Sequence, residues 1–171
     1  MPELPEVETT RRGIEPHCLG QQIDRVTVRN RNLRWPVPAR LNSKLSQADI
    51  ISVQRRAKYI ILQTSRGNLL IHLGMSGSLR VVDSALLTEK HDPFDLVWSS
   101  GKCLRLRDPR RFGSVLWAGS EPLQHRLLKE LGPEPLSEEF NGDYLHSRCL
   151  KRQQAIKTFI MDSHIVVGVG N

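Results

Sequence analysis

Between Ile23 and Trp117, short apolar runs recur with turn residues between them, and that rhythm constrains the fold more than any other feature. The runs are Ile23–Val28, Ile50–Val53, Tyr59–Leu62, Leu69–Leu73, Leu79–Val82, Asp95–Trp98 and Cys103–Arg107. They are rich in β-formers, and turns such as Gly74-Met75-Ser76-Gly77 and Ser99-Ser100-Gly101 separate them. In the last run Leu104 and Leu106 face one way, and Arg105 and Arg107 the other. Short strands at this spacing predict a β-sandwich or barrel.

Helical patterns flank this region. Leu4 to Cys18 reads as a helix: Pro5 suits a first turn, Glu6 and Glu8 suit its positive end, and Pro16 closes it. The period changes again at Gly119. Pro122 to Leu131 reads as an amphipathic helix stopped by Gly132-Pro133, and 133–135 as a linker. Asn141 is an N-cap for a helix from Gly142 to about Leu150. A further helix, Gln153 to Met161, carries Ala155, Ile156, Phe159 and Ile160 at helical spacing.

The formal net charge is +7, which favours a polyanionic partner, since each neutralised phosphate releases counterions. The charge is concentrated. Residues 25–58 hold nine Arg and Lys against Asp49 alone, and residues 102–111 hold five against Asp108 alone. By contrast, 121–143 is acidic. The three cysteines, Cys18, Cys103 and Cys149, are odd in number and far apart. They form no CxxC pair or disulfide framework, so a reducing cytosol fits best. No signal peptide or transmembrane run is present, so no membrane partner is expected.

The opening Met1-Pro2-Glu3-Leu4-Pro5-Glu6-Val7-Glu8 carries the chemistry. If Met1 is removed, as is usual before a small residue, the new terminus is the secondary amine of Pro2. An α-amine titrates near pH ~8, against about 10.4 for lysine, so far more of it is a neutral nucleophile. Such an amine can form a Schiff base with a carbonyl-like carbon. Glu3 beside it can exchange protons.

This opening resembles bacterial formamidopyrimidine-DNA glycosylases. Further matches follow in order: Arg55-Arg56-Ala57-Lys58-Tyr59, His72-Leu73-Gly74-Met75-Ser76-Gly77, His91-Asp92, Asp108-Pro109-Arg110-Arg111-Phe112-Gly113, Leu131-Gly132-Pro133-Glu134-Pro135-Leu136 and Val166-Val167-Gly168-Val169-Gly170-Asn171. The resemblance covers the whole chain. Leu4 favours this branch over the related endonuclease VIII branch, which usually opens Pro-Glu-Gly.

The resemblance implies an α+β protein. Residues 1–132 would form an N-terminal β-sandwich catalytic domain flanked by helices. Residues 133–171 would be the linker and the start of an all-helical helix–two-turn–helix domain. The family continues into a four-cysteine zinc finger, so one structural zinc is expected in the full-length family. The ligands for it are not in this chain, which is expected to be truncated before the finger.

The resemblance also implies a base-excision activity on oxidised purines in duplex DNA. Pro2 would attack the sugar C1′ and Glu3 would protonate the ring oxygen. The Schiff base would then permit β- and δ-elimination, with no cofactor in that chemistry. Lys58 would position the lesion's phosphate, and Glu6 matches a family glutamate near the nucleophile. Extruding a stacked base leaves a hole, which Met75, Arg110 and Phe112 would fill. His72, His91, Arg111, Arg152, Lys157 and Asn171 match positions of phosphate binding or DNA docking. A monomer acting at the nucleoid in a bacterial cytoplasm is expected. A DNA-binding module without turnover is the alternative. A single-strand or RNA binder would explain the charge but not the N-terminal motif, and only 5% of residues are aromatic for base stacking.

Overall fold

The computed structural model describes residues 1–171. It divides into two compact units, Met1–Pro122 and Leu123–Asn171. The linker read at 133–135 lies inside the second unit, because the segment around it is bonded there. Gly132 N–H donates to the Ser163 carbonyl at 2.8 Å, and Val167 N–H to the Pro133 carbonyl at 3.1 Å.

In the first unit, helix α1 (Leu4–Cys18) precedes eight strands. These are β1 (Ile23–Val28), β2 (Ile50–Arg56), β3 (Tyr59–Thr64), β4 (Gly67–His72), β5 (Ser78–Asp83), β6 (Phe94–Trp98), β7 (Lys102–Arg107) and β8 (Ser114–Gly119). They form two antiparallel four-stranded sheets, ordered β1-β6-β7-β5 and β2-β3-β4-β8. One apolar cluster draws on both sheets: Ile23, Phe94, Leu96, Leu104 and Leu106 from one, Val53, Ile60, Leu62, Leu69, Ile71 and Val115 from the other. Of the sandwich or barrel that the spacing of short strands predicts, this is the sandwich. Val7, Ile14 and Cys18 enter the same cluster, which is how α1 is held against the strands.

Two elements go beyond the sequence reading. Helix α2 (Leu41–Leu45) is one short turn whose Leu41 and Leu45 are both buried. Strand β8 continues past a run of basic residues and pairs with β4 from His72↔Ser114 to Asn68↔Gly119.

On the face of β7 opposite Leu104 and Leu106, the two arginines differ in burial. Arg105 is buried because the Asp95 carboxylate of the neighbouring strand accepts both prongs of its guanidinium, each at 2.9 Å. Arg29 also bonds Asp95, and the Leu86 carbonyl accepts from Arg105 at 3.0 Å. Burial alone would raise the Asp95 pKa, but the Arg105 and Arg29 hydrogen bonds outweigh it and hold the carboxyl below its usual range.

The second unit holds α3 (Gly142–Cys149) and α4 (Ile156–Ile160). Asn141 caps α3 as expected, its side-chain oxygen accepting from Tyr144 N–H at 2.9 Å. The helix expected over Pro122–Leu131 does not form. A single 3-10 turn at Pro122–Gln124 is followed by isolated turns. Only Leu128 of that segment is a buried apolar residue, too little to offset the cost of nucleating a helix. The helix expected over Gln153–Met161 contracts to Ile156–Ile160 because Ala155 is extended, at φ −59° and ψ 141°. Phe159, Ile165 and Val166 form a small core for this unit.

Candidate functional site

The first turn of α1 gathers three functional groups. Glu3 precedes the helix, and its carbonyl accepts Val7 N–H at 3.0 Å. Glu6, one turn on, reaches back so that its Oε2 accepts Glu3 N–H at 2.9 Å. This is one arm of a capping box, and it fixes the backbone beside Pro2. Lys58 comes from the tight turn between β2 and β3, where Arg56 pairs with Tyr59. The turn places Ala57 at φ +51°, a left-handed conformation that costs a non-glycine residue of order 1 kcal/mol. Lys58 Nζ then lies 2.5 Å from Glu3 Oε2. The sequence-predicted trio Pro2, Glu3 and Lys58 therefore stands together, although Lys58 is fifty-five residues from Glu3 along the chain.

A second assembly is built where two loops meet backbone to backbone. Gly74 has φ +64°, and a Cβ there would lie 2.4 Å from Gly113 N and Phe112 C. Only glycine permits that approach. Asp108, buried within the second of these loops, accepts Arg111 N–H at 3.1 Å and Gly113 N–H at 2.7 Å. The apolar side chains these loops carry point outward: Met75 is 39% exposed and Phe112 41%. The Arg110 guanidinium lies 5.0 Å from the Phe112 ring centroid, a cation–π distance. Met75, Arg110 and Phe112 are thus brought together.

His72 lies beneath this assembly. Its Nδ1 accepts Gly74 N–H at 2.9 Å, and its ring is 4.7 Å from that of Tyr59. Burial lowers its pKa to about 4, with Lys58 and Arg34 adding repulsion. The ring is therefore neutral near pH 7. Because the folded value lies below the ordinary 6.5, its contribution is complete above pH 6.5 and is lost as pH falls toward 4. At pH 5 the fold should have lost about 2 kcal/mol through this group alone. Melting wild type and His72→Gln from pH 7 to pH 5 checks this, with the variant showing the flatter profile.

His91 lines a cavity of about 310 Å³ with Asn30, Lys90, Pro93, Asp108, Pro109 and Arg111. Asp108 N–H donates to the His91 carbonyl at 2.8 Å, which ties this cavity to the 108–113 loop. Its wall carries Lys90 and Arg111 as cations, while the one carboxylate already accepts two backbone amides. Arg152, Lys157 and Asn171 belong to the second unit, where all three are exposed.

Sequence reasoning missed an ionic knot on α1. Glu8 accepts from Arg11 at 3.0–3.2 Å, from Arg12 at 2.8 Å and from Arg55 at 2.9 Å. Arg11 goes on to Glu15 at 2.8 Å and to the Val53 carbonyl at 3.0 Å. The Glu8, Arg11, Arg12 and Glu15 spacing was a readable signal. The reach to Arg55 was not, since it depends on the tertiary fold.

Comparison with known proteins places these features in context. Residues 1–115 match the family model described as Formamidopyrimidine-DNA glycosylase N-terminal domain, and residues 131–171 match the Formamidopyrimidine-DNA glycosylase H2TH domain. The chain is 57% identical over all its 171 residues to formamidopyrimidine-DNA glycosylase of Stutzerimonas stutzeri and 58% identical to that of Shigella dysenteriae. It spans 63% of the length of each. Among solved structures, Lactococcus lactis Fpg with an abasic site containing DNA aligns with TM-score 0.89 at 30% identity, over 99% of this chain and 63% of that one. The same protein with DNA containing an oxidized pyrimidine aligns with TM-score 0.90 at 30% identity, over 99% and 64% respectively.

Proposed function

The chain belongs to the formamidopyrimidine-DNA glycosylase family, and from that premise we propose that it carries the catalytic half of a glycosylase and AP lyase for oxidised purines in duplex DNA. The observation that carries the reading is the pairing of Glu3 with Lys58, 2.5 Å apart, next to Pro2. Once Met1 is removed, the Pro2 amine attacks C1′ of the damaged nucleotide. Glu3 takes up the proton that Pro2 sheds as the C1′–N bond forms and delivers it to the sugar ring oxygen as the C1′–O4′ bond opens, while the base leaves as its anion and takes a proton from water. The resulting iminium acidifies the C2′ protons. Loss of one allows β-elimination of the 3′ phosphate, and a second elimination releases the 5′ phosphate.

The remaining site residues divide by chemistry. Lys58, His91 and Arg111 present donors to phosphates along the damaged strand. Met75, Arg110 and Phe112 fill the space that the everted nucleotide vacates. The flat apolar ring of Phe112 replaces lost stacking, and Arg110 hydrogen-bonds the orphaned base. His72, neutral near pH 7, serves by holding the Gly74 amide rather than by charge. Arg152, Lys157 and Asn171 add backbone contacts from the second unit. A monomer working on nucleoid DNA in the bacterial cytoplasm accords with this reading, and no helix is long and apolar enough to cross a membrane.

The structural zinc of the full-length family does not fit these residues. No three His, Cys, Asp or Glu side chains cluster to hold a metal. Cys18 and Cys103 are buried, and burial pushes their thiols up to about 12 and about 11, away from the thiolate form a metal needs. No step above passes through a metal.

Borohydride trapping on a duplex with one abasic site tests the proposal. Protein whose mass confirms loss of Met1 should form a covalent adduct that maps to residue 2. Salt-sensitive duplex binding with no adduct would overturn the enzyme reading in favour of a binding module.

A further inference from the structure

The ionic knot on α1 closes a circuit through the proposed catalytic groups. Glu8 accepts from Arg55 at 2.9 Å. Arg55 then spends Nη1 on the Ala57 carbonyl, also at 2.9 Å. Ala57 is the left-handed residue of the β2–β3 turn, and the next residue is Lys58. Lys58 reaches Glu3, and Glu3 returns to Glu8 through the first turn of α1. Two separate elements, a helix start and a strand turn, must be in register for Lys58 and Glu3 to meet. Apolar packing of Val7 and Ile14 holds the helix to the sheet, but such contacts are non-directional and do not set its rotation or slide. A planar guanidinium that bridges the Glu8 carboxylate and the Ala57 carbonyl does, because its donors are fixed in one plane.

We propose that Glu8 is a positioning residue that, through Arg55, sets the register of the Pro2-Glu3 terminus against Lys58. The inference rests on the reading of Pro2, Glu3 and Lys58 as catalytic. Its members fit the role. Glu8, Arg11 and Arg55 expose only 23%, 17% and 17% of their side chains, so the pairs are shielded from solvent. Arg12 is 74% exposed and contributes little to register. Hydrogen bonds led by Arg11 hold the Glu8 carboxyl at a pKa of about 2, so the knot stays charged throughout the working pH range.

The test compares wild type, Glu8→Gln and Arg55→Lys, each as the 171-residue chain with Met1 removed. Gln keeps the size of Glu8 without its charge, and Lys keeps the charge of Arg55 without the fork. The expected result is a trapping rate on the abasic duplex lower by about 10- to 100-fold in both variants. Duplex affinity should change little when measured well below the melt of each variant, whose melting temperature falls because the charged Glu8 pairs also stabilise the fold. Amide exchange should quicken at Val7, which bonds Glu3, while Ile14 and Cys18 keep their protection. Trapping at the wild-type rate in both variants would overturn the proposal. So would a fall in trapping that merely follows lost affinity and uniformly faster exchange along α1. If wild type itself forms no adduct, the catalytic reading fails. Exchange at Val7 then decides the positioning role alone, and unchanged protection in Glu8→Gln would reject it.

Discussion

Protein that retains Met1 is expected to give no borohydride-stable adduct with an abasic duplex, while binding that duplex as before. Behind Met1 the Pro2 nitrogen is part of a tertiary amide. Its lone pair is delocalised into the carbonyl, and forming an iminium would require breaking the peptide bond. Glu3, Lys58 and the basic surfaces are untouched by one extra residue, and Met1 is 66% exposed, so neither fold nor charge should change. The loss should therefore appear in chemistry alone. Two preparations of the same sequence, one processed and one with Met1 retained by inhibiting the methionine-removing aminopeptidase during expression, are compared by intact mass, trapping and duplex affinity. Equal adduct from both would mean that a different amine attacks, and Lys58 would be the first to examine because it already lies beside Glu3.

The largest stability effect is expected from Asp95→Asn. Asp95 is 2% exposed and accepts both prongs of Arg105, itself 6% exposed, as well as Arg29. Removing one partner of a buried pair typically costs about 3–5 kcal/mol, because the remaining charge is left without compensation. For a domain of this size that corresponds to a melting temperature lower by about 10 °C. The pH dependence has a definite sign. The folded pKa of Asp95 lies below its ordinary 3.8, so its contribution is present above pH 3.8 and is lost as pH falls through the folded value. Thermal melts at pH 7 should therefore separate the two proteins, and the gap should shrink in strong acid. A double variant, Asp95→Leu with Arg105→Met, should lose less than Asp95→Asn, since the buried Arg105 charge goes with its partner and only the more exposed Arg29 is left without its carboxylate. Equal melting of wild type and Asp95→Asn would show that solvent reaches this pair.

The parts of the fold legible in the sequence were those fixed by local pattern. Helix α1 spans Leu4–Cys18 with Pro5 in its first turn and Val7, Ile14 and Cys18 on its buried face, although Pro16 lies inside the last turn rather than closing it. The strands fall on the short apolar runs between turn residues, β6 being buried at every position, and Asn141 caps as its side chain dictates. Misreadings arose where a pattern existed without a partner. Pro122–Leu131 has helical periodicity, yet Leu128 alone of its apolar residues is buried. In the site, the grouping of Pro2, Glu3 and Lys58 followed from resemblance rather than from spacing. The roles of Glu8 and Asp95 were invisible because each depends on arginines that the tertiary fold brings close, whereas Asp108 bonds amides only three and five residues on. A buried carboxylate reads in sequence like any surface one.

The close approach of Gly74 to Phe112 and Gly113 has a mechanical consequence. Two loops that touch through bare backbone, with Asp108 bolting one of them from within, leave no compliant side chains between them to take up a displacement. They act as one stiff blade rather than three independent probes. On the function proposed above, a movement that advances Met75 into a duplex would carry Arg110 and Phe112 with it, and the three side chains would enter a base step together. Softening any one point of the blade should blunt all three tips together.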